Sequence, residues 1–227
     1  FSGSAQWQGK NEEEISALWR GSSMREEIIR WCETNCDYAM TIDIPLWCCE
    51  KGTKDKPNRS PFKTVSVERM IELSVENLQY LCDVRGRWSG GEHQCKYLNV
   101  LQGFDPAAEQ LWFDAVKGFK LDGWSLASGT GRMGGPYRII NRLLTMADMG
   151  LLDKGYDWIH ILMLGELRWS PVMTAIQRGL RKNVNKNITI SYDSSSAYMA
   201  AGKFENFYAA TNPKRKMDTW SHASAKF

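Results

Sequence analysis

Residues 97–127 read YLNVLQGFDPAAEQLWFDAVKGFKLDGWSLA, and this stretch decides the fold. Its two ends, residues 97–101 and 124–127, are short apolar runs with the β-branched and aromatic content of buried strands. Between them residues 106–119 carry a helical pattern, with Asp105 as a predicted N-cap and Pro106 at the first helical position, where its missing N–H costs nothing. Strand, helix and strand joined by short loops make one parallel β-α-β unit. The alternation continues outward. Residues 38–42, 158–164 and 188–192 have the same strand composition. Residues 65–81 place Ile71, Val75 and Leu78 on one helical face, and residues 137–149 end at Gly150, as a C-cap glycine predicts. Buried strands alternating with helices predict a parallel sheet covered by helices, either a (β/α) barrel or a doubly wound sheet.

The bulk properties bound what such a sheet could serve. With 227 residues the chain is long enough for one substantial core, so a single domain over residues 1–227 is expected, ending in a polar, basic tail from 211 onward. No stretch approaches the roughly 20 apolar residues of a membrane span, and the start at Phe1 has neither the basic nor the apolar segment of a signal peptide. A cytoplasmic protein is therefore expected. The six cysteines (Cys32, Cys36, Cys48, Cys49, Cys82, Cys95) lack the spacing of a zinc site and the three histidines are scattered, which predicts free thiols, no metal and no cofactor. A net charge of +3 is too small to announce a nucleic-acid binder by itself. Local clusters say more: Lys51, Lys54, Lys56 and Arg59, then Arg178, Arg181, Lys182 and Lys186, then Lys214, Arg215 and Lys216.

Polar residues appear where each predicted strand finishes. The runs lead into Asp43, into Gln102 and Gly103, into Ser128 and Gly129, into Gly165 and Glu166, and into Asp193. In parallel α/β folds these C-terminal ends gather at one face, where ligands and reacting groups sit. A carboxylate there can attack an anomeric carbon and form a covalent glycosyl-enzyme, and further amide and carboxylate groups can read the edge of a purine. Each residue alone has a bland explanation as a cap or turn residue; together, at five strand ends, they point to a site.

The order of these motifs resembles the tRNA-guanine transglycosylase family. The pieces that carry the resemblance are AMTID ending at Asp43, YLNVLQG with Gln102 and Gly103, LDGWSLASG with Ser128 and Gly129, ILMLG with Met163 and Gly165, and ISYDSSSAY with Asp193. The resemblance implies a TIM-type (β/α) barrel, incomplete or reduced because five strands fall short of eight. It implies Asp193 as nucleophile, Asp43, Gln102, Gly103, Ser128, Gly129, Met163 and Gly165 around the base, and Arg132, Arg178, Arg181 and Lys182 toward the nucleic-acid backbone. The reaction implied replaces guanine in a polynucleotide with a free 7-deazaguanine base. The family's second catalytic aspartate, in an Asp-Ser-Gly-Gly context ahead of the first strand, has no counterpart here, so either it lies upstream of Phe1 or proton transfer is arranged differently. The family's zinc cluster and separate RNA-binding domain are also missing. These absences favour the relatives that act on DNA rather than tRNA, found in phages and bacterial modification clusters, which would put a phage-encoded member in its host's cytoplasm. A homodimer is compatible with this reading.

Two other classes compete. Residues 129–134 match G-x-G-x-x-G, the fingerprint of a dinucleotide-dependent oxidoreductase, but no carboxylate ends a strand at the required distance after it. Ten tryptophans and the basic loops suit a non-catalytic nucleic-acid-binding module, although Trp112 and Trp158 lie in regular elements where a core position is expected.

Overall fold

The computed structural model describes residues 10–49, 60–90, 94–127, 136–162, 164, 169–193, 206–209 and 218–221. Two helices, α1 (Glu12–Gly21) and α2 (Met24–Asn35), precede β1 (Tyr38–Met40). A 3-10 turn at Leu46–Cys49 leads on toward α3 (Val67–Val84), and then β2 (Lys96–Leu101), α4 (Pro106–Val116), β3 (Gly123–Leu126), α5 (Pro136–Asp148), β4 (Trp158–Ile161), α6 (Ser170–Asn183) and β5 (Thr189–Tyr192) alternate. All five expected strands form and pair in parallel, in the order β1-β2-β3-β4-β5. A doubly wound sheet reverses its order at a switch point; this one does not. Parallel crossovers are right-handed in nearly all cases, so an order that never reverses sends every connecting helix to the same face. The described sheet is thus a half-barrel of alternating strands and helices.

Local chemistry sets the helix ends. Asp105 accepts from Ala108 N at 2.8 Å with Pro106 in the first turn, as expected, and Ser66 caps α3 by accepting from Arg69 N. Helix α5 closes with Leu151 N on Met146 O and Gly150 N on Ala147 O, the paired bonds of a Schellman motif, and Gly150 takes the φ of +70° that this motif needs.

The ladder register sorts the side chains. Asn99 pairs with Trp124 and Trp124 with Ile159, so Tyr97, Asn99, Leu101, Trp124, Leu126, Ile159 and Ile161 face the helices. Asn99 donates to Val116 O of α4, Trp112 of α4 donates to Val100 O, and Trp124 donates to Leu151 O after α5, so these three buried donors are satisfied, while Tyr97 Oη and Asn99 Oδ1 are buried in the layer without a hydrogen-bond partner among the described residues. The opposite, concave face carries Tyr38, Met40, Leu98, Val100, Gly123, Ser125, Trp158, His160, Thr189 and Ser191. Tyr38 on β1 and Trp158 on β4 have ring centroids 4.5 Å apart. Three strand spacings along a flat sheet amount to about 14 Å, and these rings close that gap by leaning toward each other across the concave face. Gly123 lies beneath them: a Cβ there would fall on the Trp158 carbonyl oxygen and on the Leu98 side chain.

The expected strand boundaries shift by one to three residues, most at the ends of β1 and β4. Residues 38–42 pair as β1 only to Met40, because at Thr41 the side-chain oxygen takes over and accepts from Val100 N while Thr41 N donates to Leu98 O. The tail also holds more order than its polarity predicts. Strand β7 (Asp218–Ser221), inside the region from 211 onward expected to be a basic tail, pairs antiparallel with β6 (Asn206–Ala209) just before it in a second, two-stranded sheet. No helix among the described residues is long and apolar enough to cross a membrane.

Candidate active site at the strand ends

Two groups of side chains stand at the C-terminal edge of the sheet. The first joins β1 and β2. Gln102, the residue after β2, is buried, and its amide nitrogen donates to Asp43 Oδ2 at 2.5 Å and to Ile44 O at 3.2 Å while its Oε1 accepts from Leu46 N at 2.9 Å. Both N–H donors are therefore spent on the chain after β1, and the amide holds Asp43 in place. Gly103 is explained by packing: a Cβ would lie 2.5 Å from the Glu109 backbone nitrogen and Cα, so the first turns of α4 rest directly on this glycine. Asp43 is half-buried, and burial pushes its carboxyl up to about 6, with its own backbone N–H acting in the opposite direction. It borders a shallow open cleft whose apolar walls include Ile15 and Trp19 of α1 and Leu73 of α3.

The second group joins β4 and β5 on the concave face. Trp158 and His160 are two residues apart on β4, and Ser191 and Asp193 are two apart on and just beyond β5, so all four project to the same side. The Trp158 indole N–H donates to Ser191 Oγ at 2.8 Å, and His160 Nδ1 lies 2.8 Å from the same oxygen. On the other side of the ring, Nε2 is 3.7 Å from Asp193 Oδ1. The Ser191 hydroxyl can accept from Nδ1–H or donate to a bare Nδ1, so this contact serves either neutral tautomer as well as the imidazolium. The His160 side chain is 17% exposed and that of Asp193 57%. Burial holds the imidazole below its ordinary value while the Asp193 charge pulls it back up. The result is a fixed imidazole beside an open carboxylate at the mouth of the half-barrel.

Of the expected site residues, Asp43 and Gln102 are in direct contact and Asp193 stands on the same sheet edge. Ser128, Gly129, Arg132, Met163 and Gly165 lie outside the described residues, as do the glycine motif at 129–134, the basic loop at 51–59 and Lys214, Arg215 and Lys216. Arg178, Arg181 and Lys182 are exposed on the last turns of α6, which runs back to where β5 begins. Arg181 donates to Ile188 O and Thr189 Oγ1 there. This is the end of the sheet away from Asp193, so the three cations are not brought to the site.

His160 and Ser191 were not singled out by the sequence reading, which weighed the histidines only as metal ligands. The usable signal was parity: in WIHI and TISYD the histidine, serine and aspartate alternate onto one face of neighbouring strands. Cys32, Cys36, Cys82 and Cys95 are free thiols. Burial pushes the Cys95 thiol up to about 12, which suits a packing role rather than a nucleophilic one. No three His, Cys, Asp or Glu side chains among the described residues are grouped to hold a metal ion. No protein-family model matches the chain, and no curated protein or solved structure matches it either.

Proposed function

We propose that this protein is a base-exchanging transglycosylase that replaces guanine in a polynucleotide, DNA in preference to tRNA, with a free 7-deazaguanine. The observation that carries the reading is the open Asp193 carboxylate at the end of β5, with an imidazole 3.7 Å away and the half-buried carboxyl of Asp43 on the same strand-end edge. In the first displacement an Asp193 oxygen bonds to the anomeric carbon as the bond to guanine breaks; in the second the entering base displaces Asp193, and two inversions restore the configuration. Asp43 accepts from the ring N–H and amino group of the purine. A carboxylate raised by burial is one whose lost hydration such paired donors would replace. The order of strand-end motifs supplies the substrate class.

The test is adduct trapping. Protein incubated with guanine-containing single-stranded DNA, double-stranded DNA and tRNA is denatured and resolved, and exchange of labelled guanine is followed in parallel. One nucleic acid is expected to give a denaturation-resistant adduct that Asp193→Asn abolishes. Binding that survives Asp193→Asn, with no adduct from the wild type, would instead mark a non-catalytic nucleic-acid-binding module.

A further inference from the structure

We propose that His160 carries the proton of the exchange between the departing and the entering base, with Ser191 as the positioning residue that holds its ring; this rests on the transglycosylase reading above. That reaction needs a proton twice. When the C1′–N9 bond breaks, its electron pair goes to the leaving guanine, which must be protonated; when the 7-deazaguanine attacks through N9, it must shed the proton N9 carries. One group that gives and then retakes a single proton closes the cycle with no net uptake.

The geometry fits His160 to this task. Its Nε2 lies 3.7 Å from the Asp193 oxygen, so it borders the space in which C1′ and N9 must sit when Asp193 attacks. As imidazolium it gives the Nε2 proton to the leaving base while Asp193 Oδ bonds to C1′. As the neutral Nδ1–H tautomer it takes the N9 proton of the entering base on Nε2 as the Asp193–C1′ bond breaks. Through both steps Nδ1 keeps its hydrogen while Nε2 changes between donor and acceptor, so the ring must stay in place. The Ser191 oxygen at 2.8 Å accepts from Nδ1–H in either state while Trp158 anchors it from the other side. Burial, which depresses the imidazole, makes the imidazolium a more willing acid.

The experiment compares two leaving groups in single-turnover adduct formation: guanine in DNA, and N7-methylguanine at the same position, which departs as a neutral base and needs no proton. His160→Gln is expected to slow adduct formation with guanine by on the order of 100-fold and with N7-methylguanine by less than about 3-fold. Ser191→Ala, which keeps the ring but not its holder, is expected to give a smaller loss confined to guanine. It also serves as the test should His160→Gln fail to fold by circular dichroism. Equal slowing on both substrates, or none on either, would overturn the assignment of His160 while leaving Asp193 as nucleophile intact. An adduct that persists in Asp193→Asn, or a wild type that reacts with neither substrate, would overturn the underlying reading and this inference with it.

Discussion

Asp43 illustrates how one carboxyl can be a structural burden and a functional asset. Its pKa of about 6 in the fold, against 3.8 for a free aspartate, means that the unfolded chain loses its proton first as pH rises. The contribution of this group to stability is fully present below about pH 4 and is lost as pH climbs to about 6, with a total of order 2 kcal/mol after allowance for residual solvent contact. Asn at this position removes the charge and keeps a carbonyl for the Gln102 amide. Urea denaturation at several pH values is therefore expected to show wild type losing stability relative to Asp43→Asn between pH 4 and 6, and a constant difference above that range. A difference that stays flat from pH 4 to 7 would mean that the carboxyl is not desolvated. If Asp43 reads the purine edge, the Asn variant also forfeits base binding while gaining stability at neutral pH, the trade that marks a group kept for function.

At the scale of elements, contacts between helices show which electrostatics count. Glu109 on α4 is buried and receives Arg138 Nη2 at 2.5 Å and Arg142 Nε at 2.9 Å from α5, and Arg142 also lies over the Phe113 ring. Arg20 and Glu76 make an equally direct pair between α1 and α3, but both are exposed. Removing one partner of a buried pair strands the other, so Glu109→Ala is expected to cost about 3–5 kcal/mol and Glu76→Ala under about 1 kcal/mol. The shift in urea midpoint at unchanged m-value would measure both. Similar losses for the two variants would contradict this account. The same packing explains which elements could be read from sequence. Helix α3 buries eight residues at helical spacing and α4 carries a visible cap, and both stand out. Helix α2 buries only Ile29 and Glu33, and α6 only Met173 and Leu180, so their apolar periodicity is faint. Glu33 has a role that no pattern reveals: its carboxylate accepts from Gly86 and Trp88 N–H and closes the turn after α3. Asp43, Gln102 and Asp193 were legible because they follow apolar runs directly. His160 and Ser191 were not, because they sit inside the runs and only the pairing register reveals that they meet.

For the whole molecule, the decisive feature is the curl of the sheet. Strand order alone permits a flat parallel sheet with its helices on one side, and a flat sheet would hold β1 and β5 too far apart for their ends to serve one ligand. The contact between Tyr38 and Trp158 fits the curl, because these rings lean together across the concave face of the sheet. Trp158 is also the residue that anchors Ser191, so curvature and the His160 environment share one side chain. A double-mutant cycle with Tyr38→Ala, Trp158→Ala and the pair separates the contact from the rest of each ring's burial. The interaction energy is expected to be about 0.5–1.5 kcal/mol, typical of aromatic pairs. A value near zero would mean that the rings do not meet in solution, which removes the case for a half-barrel mouth formed from both sheet edges. Trp158→Ala alone carries a second consequence: it frees Ser191 from its anchor while leaving Tyr38 and Asp193 in place. It should therefore reproduce the guanine-selective loss expected of Ser191→Ala, whereas Tyr38→Ala, which touches the curl but not the hydroxyl, should reduce stability without that selectivity.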